Sequence, residues 1–242
     1  MRILTVDIYE KEKNFLLDEF ESNDSGYICV TSVHGLIEAY ENNEINDAFK
    51  NSFANVPDGM PIVYFSRVVR KVNMSRITGP EFIYDFLEML NRKYKSIVTI
   101  GSNESTIKNF KKFLDSNYKN INLVNSNFSI INTKNNSDIQ EVINFCKNNK
   151  ADYYMIFLST PKQDMLMYQM SKQLDVKMIG FGAAVDYVVG NTKYAPRVIQ
   201  VLALEWLYRL FQEPKRLFKR YFNIIPKFFI YLFISSFSKK KQ

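Results

Sequence analysis

The chain has 242 residues, of which 46 % are apolar and 24 % charged, the balance of a folded globular protein rather than a disordered one. That length suggests one or two domains with a core large enough to need no covalent staple. Two cysteines, Cys29 and Cys146, exclude a disulfide framework and a multi-cysteine zinc site, and a single histidine, His34, excludes any site that needs two.

The net charge of +7 is gathered at one end. Residues 206–242 hold nine Lys or Arg and one acid, Glu213, whereas the first 205 residues hold 23 basic and 24 acidic side chains. The same 37 residues carry Trp206 and ten Phe or Tyr, so a near-neutral body bears a basic, aromatic tail. No basic-apolar-small leader opens the sequence, and export by a signal peptide is not expected. The longest apolar run, 228–234, is seven residues, against the roughly 20 that a membrane-spanning helix needs.

In chain order, 27–33 (YICVTSV) reads as a buried strand and 36–50 as one amphipathic helix. Pro57-Asp58-Gly59 is a turn signal. A helix over 80–94 begins at Pro80 after Thr78-Gly79. The strand at 96–100 ends at Gly101, and a helix over 106–117 and a strand at 121–124 follow. The polar stretch 125–137 reads as a loop, and 137–148 as a helix. A continuous apolar strand at 153–158, a helix over 163–174 and a strand at 176–181 complete the pattern. Strands separated by helices of about 10–15 residues imply crossover units and a mostly parallel sheet, and near-continuous apolar strands imply helices on both faces. Ligands of such sheets sit beyond the carboxyl ends of the strands, which points to 32–35, 101–105, 159–163 and 182–186.

Several residues there have two readings. Asp58 is a turn residue or a general base. Gly101 and Ser102 follow a strand and open a helix, a common turn and also an arrangement whose amides bind phosphate. Gly180-Phe181-Gly182 lacks the third glycine of the dinucleotide fingerprint, because Val185 stands there. Arg76 pairs with a phosphate or with solvent, Lys162 and Gln163 taken alone read as surface residues, and His34 is a hydrogen-bonding, acid–base or structural group. Cys29 and Cys146 read as small buried apolar residues. No Walker A sequence and no Asp-x-Asp metal–diphosphate motif occurs, so no metal site or other cofactor is expected.

At about 100° per residue, Lys215, Arg216, Lys219 and Arg220 fall on one arc of a helix and Leu217, Phe218, Tyr221 and Phe222 on the other. Such a split suits a helix lying in an anionic membrane interface; the alternative is packing of the apolar arc on the protein's own body. No nucleic-acid-binding module is present, and no nucleic acid partner is expected.

The runs Val56-Pro57-Asp58-Gly59-Met60-Pro61, Arg76-Ile77-Thr78-Gly79-Pro80, Thr160-Pro161-Lys162-Gln163-Asp164, Gly180-Phe181-Gly182-Ala183-Ala184-Val185-Asp186 and Leu204-Glu205-Trp206-Leu207-Tyr208-Arg209-Leu210-Phe211-Gln212-Glu213-Pro214 occur in this order. Together they resemble the WecG/TagA/CpsF family of bacterial glycosyltransferases, glycosyltransferase family 26, over nearly the whole chain. The resemblance implies a Rossmann-like α/β catalytic core, 1–200, and a helical basic-aromatic C-terminal membrane-binding appendage, 201–242. It implies an inverting enzyme at the cytoplasmic face of the cell membrane, peripherally bound, that moves a sugar from a UDP-sugar to a polyprenyl-diphosphate-linked sugar in cell-surface polysaccharide or teichoic acid synthesis. N-acetylmannosamine is the family-level expectation for the sugar, and a homo-oligomer is one option for the assembly.

Residue by residue, the resemblance makes Asp58 the general base and Arg76 a contact of the diphosphate, and places Gln163 and Asp186 near the nucleotide. Arg209, Arg216 and Lys219 or Arg220 become appendage residues closing over a diphosphate. Where many members have Thr-x-Asn, Thr31 is followed here by Val33 and His34, which makes Thr31 and His34 candidates for holding the acceptor. The glycine-aromatic motif of many members is degraded at 125–132, and Phe128 is the candidate to stack on uracil. The alternatives are a nucleotide-binding oxidoreductase on a similar sheet and a non-catalytic membrane adaptor. Cofactor fluorescence would identify the first, and absence of UDP release from a UDP-sugar the second.

Overall fold

A computed structural model describes residues 1–69, 71–72, 74–127, 129–201 and 204–238, with the backbone alone at 200, 201, 216, 219, 220 and 236–238. A two-residue antiparallel pair, β1 (Arg2–Ile3) and β2 (Val6–Asp7), opens the chain and leads into α1 (Lys13–Glu21). β3 (Gly26–Thr31), α2 (Val33–Glu41), α3 (Asn43–Lys50), β4 (Ala54–Pro57), α4 (Met60–Val69) and α5 (Gly79–Arg92) follow. The second half runs β5 (Ser96–Gly101), α6 (Glu104–Asn117), β6 (Asn122–Asn127), α7 (Asn136–Asn148), β7 (Tyr153–Phe157), α8 (Lys162–Ser171), β8 (Lys177–Gly180) and α9 (Ala184–Val188). The C-terminal helices are α10 (Arg197–Val201), α11 (Glu205–Gln212) and α12 (Pro214–Ser238).

Six strands form one sheet in the order β4-β3-β8-β7-β5-β6, and every pairing in it is parallel. Side chains alternate between two apolar cores, one on each face. Tyr27 and Cys29 of β3, Tyr154 and Ile156 of β7 and Met178 of β8 face the core built with α2, α3, α7 and α8. Ile28 and Val30, Tyr153, Met155 and Phe157, and Ile179 face the core built with α1, α5, α6 and α9. Both faces are thus covered, the condition that makes parallel strands continuously apolar. This is the Rossmann-like α/β sheet expected from the strand–helix alternation. Cys29 and Cys146 are buried free thiols, and burial pushes the Cys146 thiol up to about 12.

Three local differences from the sequence pattern have physical causes. The single helix expected over 36–50 is two, because Asn42 leaves the helical region and its side chain accepts from the amides of Glu44 and Ile45 at 2.9 and 3.4 Å, capping α3. The stretch from Asn125, expected as loop, continues β6 to Asn127, because pairing with β5 satisfies a backbone whose polar side chains lie exposed or half-buried at the sheet edge. A further strand, β4, precedes Pro57-Asp58-Gly59, so that turn joins an edge strand to α4.

The tail divides its surface. Leu217, Phe228 and Leu232 are buried, Tyr231 lies against Tyr40 of α2 with ring centroids 4.7 Å apart, and Lys227 pairs with Glu41 at 2.6 Å. Phe218, Phe222, Phe229 and Phe233 remain 63, 72, 62 and 66 % exposed. One side of α12 therefore packs on the body while another offers aromatic surface to solvent. Among the described residues no helix is long and apolar enough to cross a membrane.

Asp164 of α8 is fully buried. Loss of water pushes its carboxyl from 3.8 up to about 7, partly offset by the neighbouring Cys29 thiol and Thr160 hydroxyl. The folded state thus holds a proton that the unfolded chain releases above about pH 4, so this group lowers stability progressively from about pH 4 to about pH 7 and by a constant amount above that. Replacing Asp164 by Asn removes that titrating group. Thermal denaturation across this window should show a shallower decline of the midpoint for Asp164→Asn than for the wild type; parallel declines would contradict a protonated Asp164.

Candidate active site

The acid expected to do chemistry stands at the carboxyl end of the edge strand. The Asp58 amide donates to the Thr31 carbonyl at 2.9 Å, which continues the β3–β4 ladder past Pro57 and fixes the carboxylate at the rim of the sheet. Gly59 follows with φ of +111°, a backbone region that glycine enters without a Cβ penalty, and lets the chain reverse into α4. Thr31 itself is buried, with its hydroxyl donating to the Cys29 carbonyl at 3.2 Å.

Arg76 reaches the same rim by a second backbone tie: the Ile77 amide donates to the Pro57 carbonyl at 3.0 Å. Two residues on, Thr78 caps α5, its hydroxyl accepting from the Glu81 amide at 3.2 Å and donating to the Glu81 carboxylate at 2.8 Å. The cap stops the extended segment so that Arg76 cannot be drawn into the helix. Arg76 Nη2 lies 2.5 Å from Glu205 Oε2 in the first turn of α11.

Arg209 is one turn further along α11, on the same face as Glu205. Its guanidinium lies 5.5 Å from the centre of the Tyr187 ring, and its Nε is buried without a hydrogen-bond partner among the described residues. Burial pushes the Asp58 carboxyl above the usual carboxylate range; Arg209 and Arg76 pull it back, and Glu205 and Glu81 add to the rise. The result is an acid that feels two arginines and two further carboxyl groups, those of Glu205 and Glu81.

Beside this cluster a cleft of about 280 Å³ runs along the ends of the central strands. Ser102 and Asn103 line it after β5, Leu158 and Ser159 after β7, and Gly182 and Asp186 after β8. Gly101 has φ of +91°, and a Cβ there would meet Leu158 Cδ2 at 2.7 Å and the Phe157 carbonyl at 2.9 Å, so glycine is required for the close turn. Ser102 has φ of +65° and its amide donates to the Phe157 carbonyl at 3.1 Å. Asn103 caps α6 by accepting from the Thr106 amide at 2.9 Å, which directs the helix start toward the cleft. Asp186 accepts from Asn191 Nδ2 at 3.1 Å, and Asn191 also donates to the Thr106 hydroxyl at 3.0 Å.

Gln163 lies behind the cleft wall. Its Oε1 accepts from the Gly182 amide at 2.8 Å and its Nε2 donates to the Gly180 carbonyl at 3.3 Å, which locks the turn after β8. A Cβ on Gly180 would meet Gln163 Cδ at 2.8 Å. The Gly-x-Gly pattern thus serves this clasp rather than the close approach of a dinucleotide. His34 stands in the first turn of α2 with Nε2 3.1 Å from Glu38 Oε1.

The structure therefore brings Asp58, Arg76 and Arg209 together, sets Ser102 and Asp186 in the adjoining cleft with Gly101 forming its turn, and buries Gln163 as the support of that cleft. Phe128 and the side chains of Arg216 and Arg220 lie outside the described residues. Glu205 and Tyr187 belong to the cluster as well. The signal for Glu205 was its spacing of four from Arg209 on one helix; Tyr187 had none until the folded chain laid Arg209 against it. Among the described residues no three His, Cys, Asp or Glu converge in a way that would hold a metal ion.

Comparison with known proteins places this geometry in a family. Two relatives are each described as an N-acetylglucosaminyldiphosphoundecaprenol N-acetyl-beta-D-mannosaminyltransferase. The one from Bacillus subtilis strain 168 is 28 % identical over 191 residues, covering 78 % of this chain and 72 % of the relative. The one from Bacillus spizizenii is 23 % identical over 209 residues, covering 86 % and 79 %. The family model for glycosyl transferases of the WecG/TagA/CpsF type matches residues 1–242. A parallel sheet with a strand-end acid, two converging arginines and a match along the whole chain lead to one conclusion: the chain belongs to the WecG/TagA/CpsF family of glycosyltransferases.

Proposed function

We propose that this glycosyltransferase moves N-acetylmannosamine, or a closely related hexose, from a UDP-sugar to a polyprenyl-diphosphate-linked sugar in a single inverting displacement. The observation that carries the reading is the Asp58 carboxyl at a strand end, shielded from water and within the electrostatic reach of both Arg76 and Arg209. Asp58 takes the proton of the acceptor hydroxyl as that oxygen attacks the anomeric carbon. Its burial supports the role, because a carboxylate short of water is a stronger base than a solvated one. The bond to the donor's β-phosphate oxygen breaks on the opposite side, and the negative charge arriving on UDP is met by the two guanidinium groups. The amides at the start of the 14-residue α6 add positive potential in the cleft. On this assignment the arginines, and not a bound cation, compensate the diphosphate.

The reading extends to the surface on which the acceptor is presented. Between α11 and α12, Trp206, Leu210, Phe218, Tyr221, Phe222, Ile225 and Pro226 form an open apolar pocket of about 270 Å³. Exposed aromatics beside a run of Lys and Arg fit an anionic bilayer surface, the apolar groups entering the interface and the cations meeting the headgroups. The enzyme thus works as a peripheral protein at the cytoplasmic membrane face, with the appendage bringing the lipid-linked acceptor to the Asp58 side of the molecule.

Two results test this. Asp58→Asn should lower turnover about 10²–10⁴-fold while UDP binds as to the wild type, with chelation of divalent cations leaving the wild-type rate unchanged. Product mass after mixing a UDP-sugar panel with a short-chain lipid diphosphate–sugar acceptor gives the rate and the donor, and full turnover by Asp58→Asn contradicts the base assignment. Phe218→Ser combined with Phe222→Ser should reduce co-sedimentation with phosphatidylglycerol vesicles, and unchanged sedimentation contradicts the interfacial role.

A further inference from the structure

Arg76 and Arg209 flank the same carboxylate but differ in what they hold. Arg76 is engaged by Glu205 at 2.5 Å, and neither side chain is sealed from solvent, at 19 and 28 % exposure. Arg209 rests on the Tyr187 ring with a buried Nε that donates to nothing among the described residues. One cation of the pair is thus neutralised by an internal anion, and the other has donor capacity to spare. The internal anion comes from the first turn of α11, the helix that also carries Arg209 and is joined to α12 by the edge-on contact of Trp206 with Tyr221 at 6.0 Å.

We infer that Glu205 is a positioning residue that occupies, on Arg76, the place taken by the donor's diphosphate. The inference rests on the donor reading given above. A single carboxylate holds the Arg76 guanidinium turned toward the Asp58 rim while no donor is present. A diphosphate, with more charge and more acceptor oxygens, outcompetes it and makes the stronger charge-assisted bonds. Exchange of partners at Arg76 frees the first turn of α11 from the catalytic core at the moment the donor arrives. Donor binding and the seating of the appendage are then linked through one ion pair. Glu205 also stays close enough to Asp58 to raise the basicity of that carboxylate, together with Glu81 and against Arg76 and Arg209, while Tyr187 faces the same group from α9.

The experiment is calorimetric titration of the full-length wild type, Glu205→Gln and Glu205→Asp with UDP, alongside pH profiles of kcat/KM. Glu205→Gln keeps a hydrogen-bonding side chain and loses the charge. It should bind UDP about two- to fivefold more tightly, the range expected from releasing a partly exposed ion pair, and the acidic limb of its profile should move to lower pH. Glu205→Asp, which restores the charge, should return both quantities toward the wild type. Unchanged or weaker UDP affinity of Glu205→Gln, with a wild-type circular dichroism spectrum, overturns the inference while leaving the donor reading intact. Failure of the wild type itself to bind UDP overturns both.

Discussion

The arrangement depends on a carboxylate kept partly from water between two guanidinium groups that arrive from distant parts of the sequence. Asp58 is fixed by one backbone bond to the end of β3, Arg76 by the bond of the next residue, Ile77, to the end of β4, and Arg209 by a helix that begins almost 150 residues after Asp58 in the chain. The first two stand in loops tied directly to the ends of sheet strands. The third depends on how the C-terminal helices lie. Phe228 and Leu232 buried in the body, the tilted ring contact of Tyr231 with Tyr40 and the Lys227–Glu41 pair hold α12 on α2. The contact of Trp206 with Tyr221 then carries that anchorage to α11. The tail is therefore part of the site's framework as well as an exposed aromatic surface.

This arrangement reconciles the two readings of the tail. A wheel drawn on residues 215–222 separates basic from apolar side chains, but it cannot say whether the apolar arc meets the body or something outside it. The structure shows the packing on the body, through Phe228 and Leu232, and leaves apolar residues such as Phe218 and Phe222 of the same 25-residue helix uncovered.

Much of the fold is legible in the chain, because parallel strands covered on both faces need continuous apolar runs and the crossover helices between them need a periodic face. β3, β5, β7 and β8 show that pattern plainly. β4 does not: Ala-Asn-Val-Pro has a polar residue and a proline, and it becomes a strand only because β3 offers it a partner. β6 is legible only in part, since its later residues are polar and paired on one side alone. The division of the helix after β3 was written in Asn42, whose capping value shows only when the chain turns there. In the site, Asp58, Arg76 and Arg209 stand in runs that resemble a known family, and the fold brings all three to one rim. The glycines of the turn after β8 resembled half of a dinucleotide fingerprint, but their spacing is set by the Gln163 clasp. The spacing of Glu205 from Arg209 is legible, but its pairing with Arg76 and the contact of Tyr187 with Arg209 are not, because an ion pair and a ring contact between α11 and the core are tertiary facts.

The most direct measurement is a crystal structure with UDP bound. The account requires the diphosphate to lie within about 3 Å of donors on both guanidinium groups, with Asp58 facing the side left open for the acceptor. Density for UDP at another face of the sheet, with those two arginines turned away from it, would contradict the scheme.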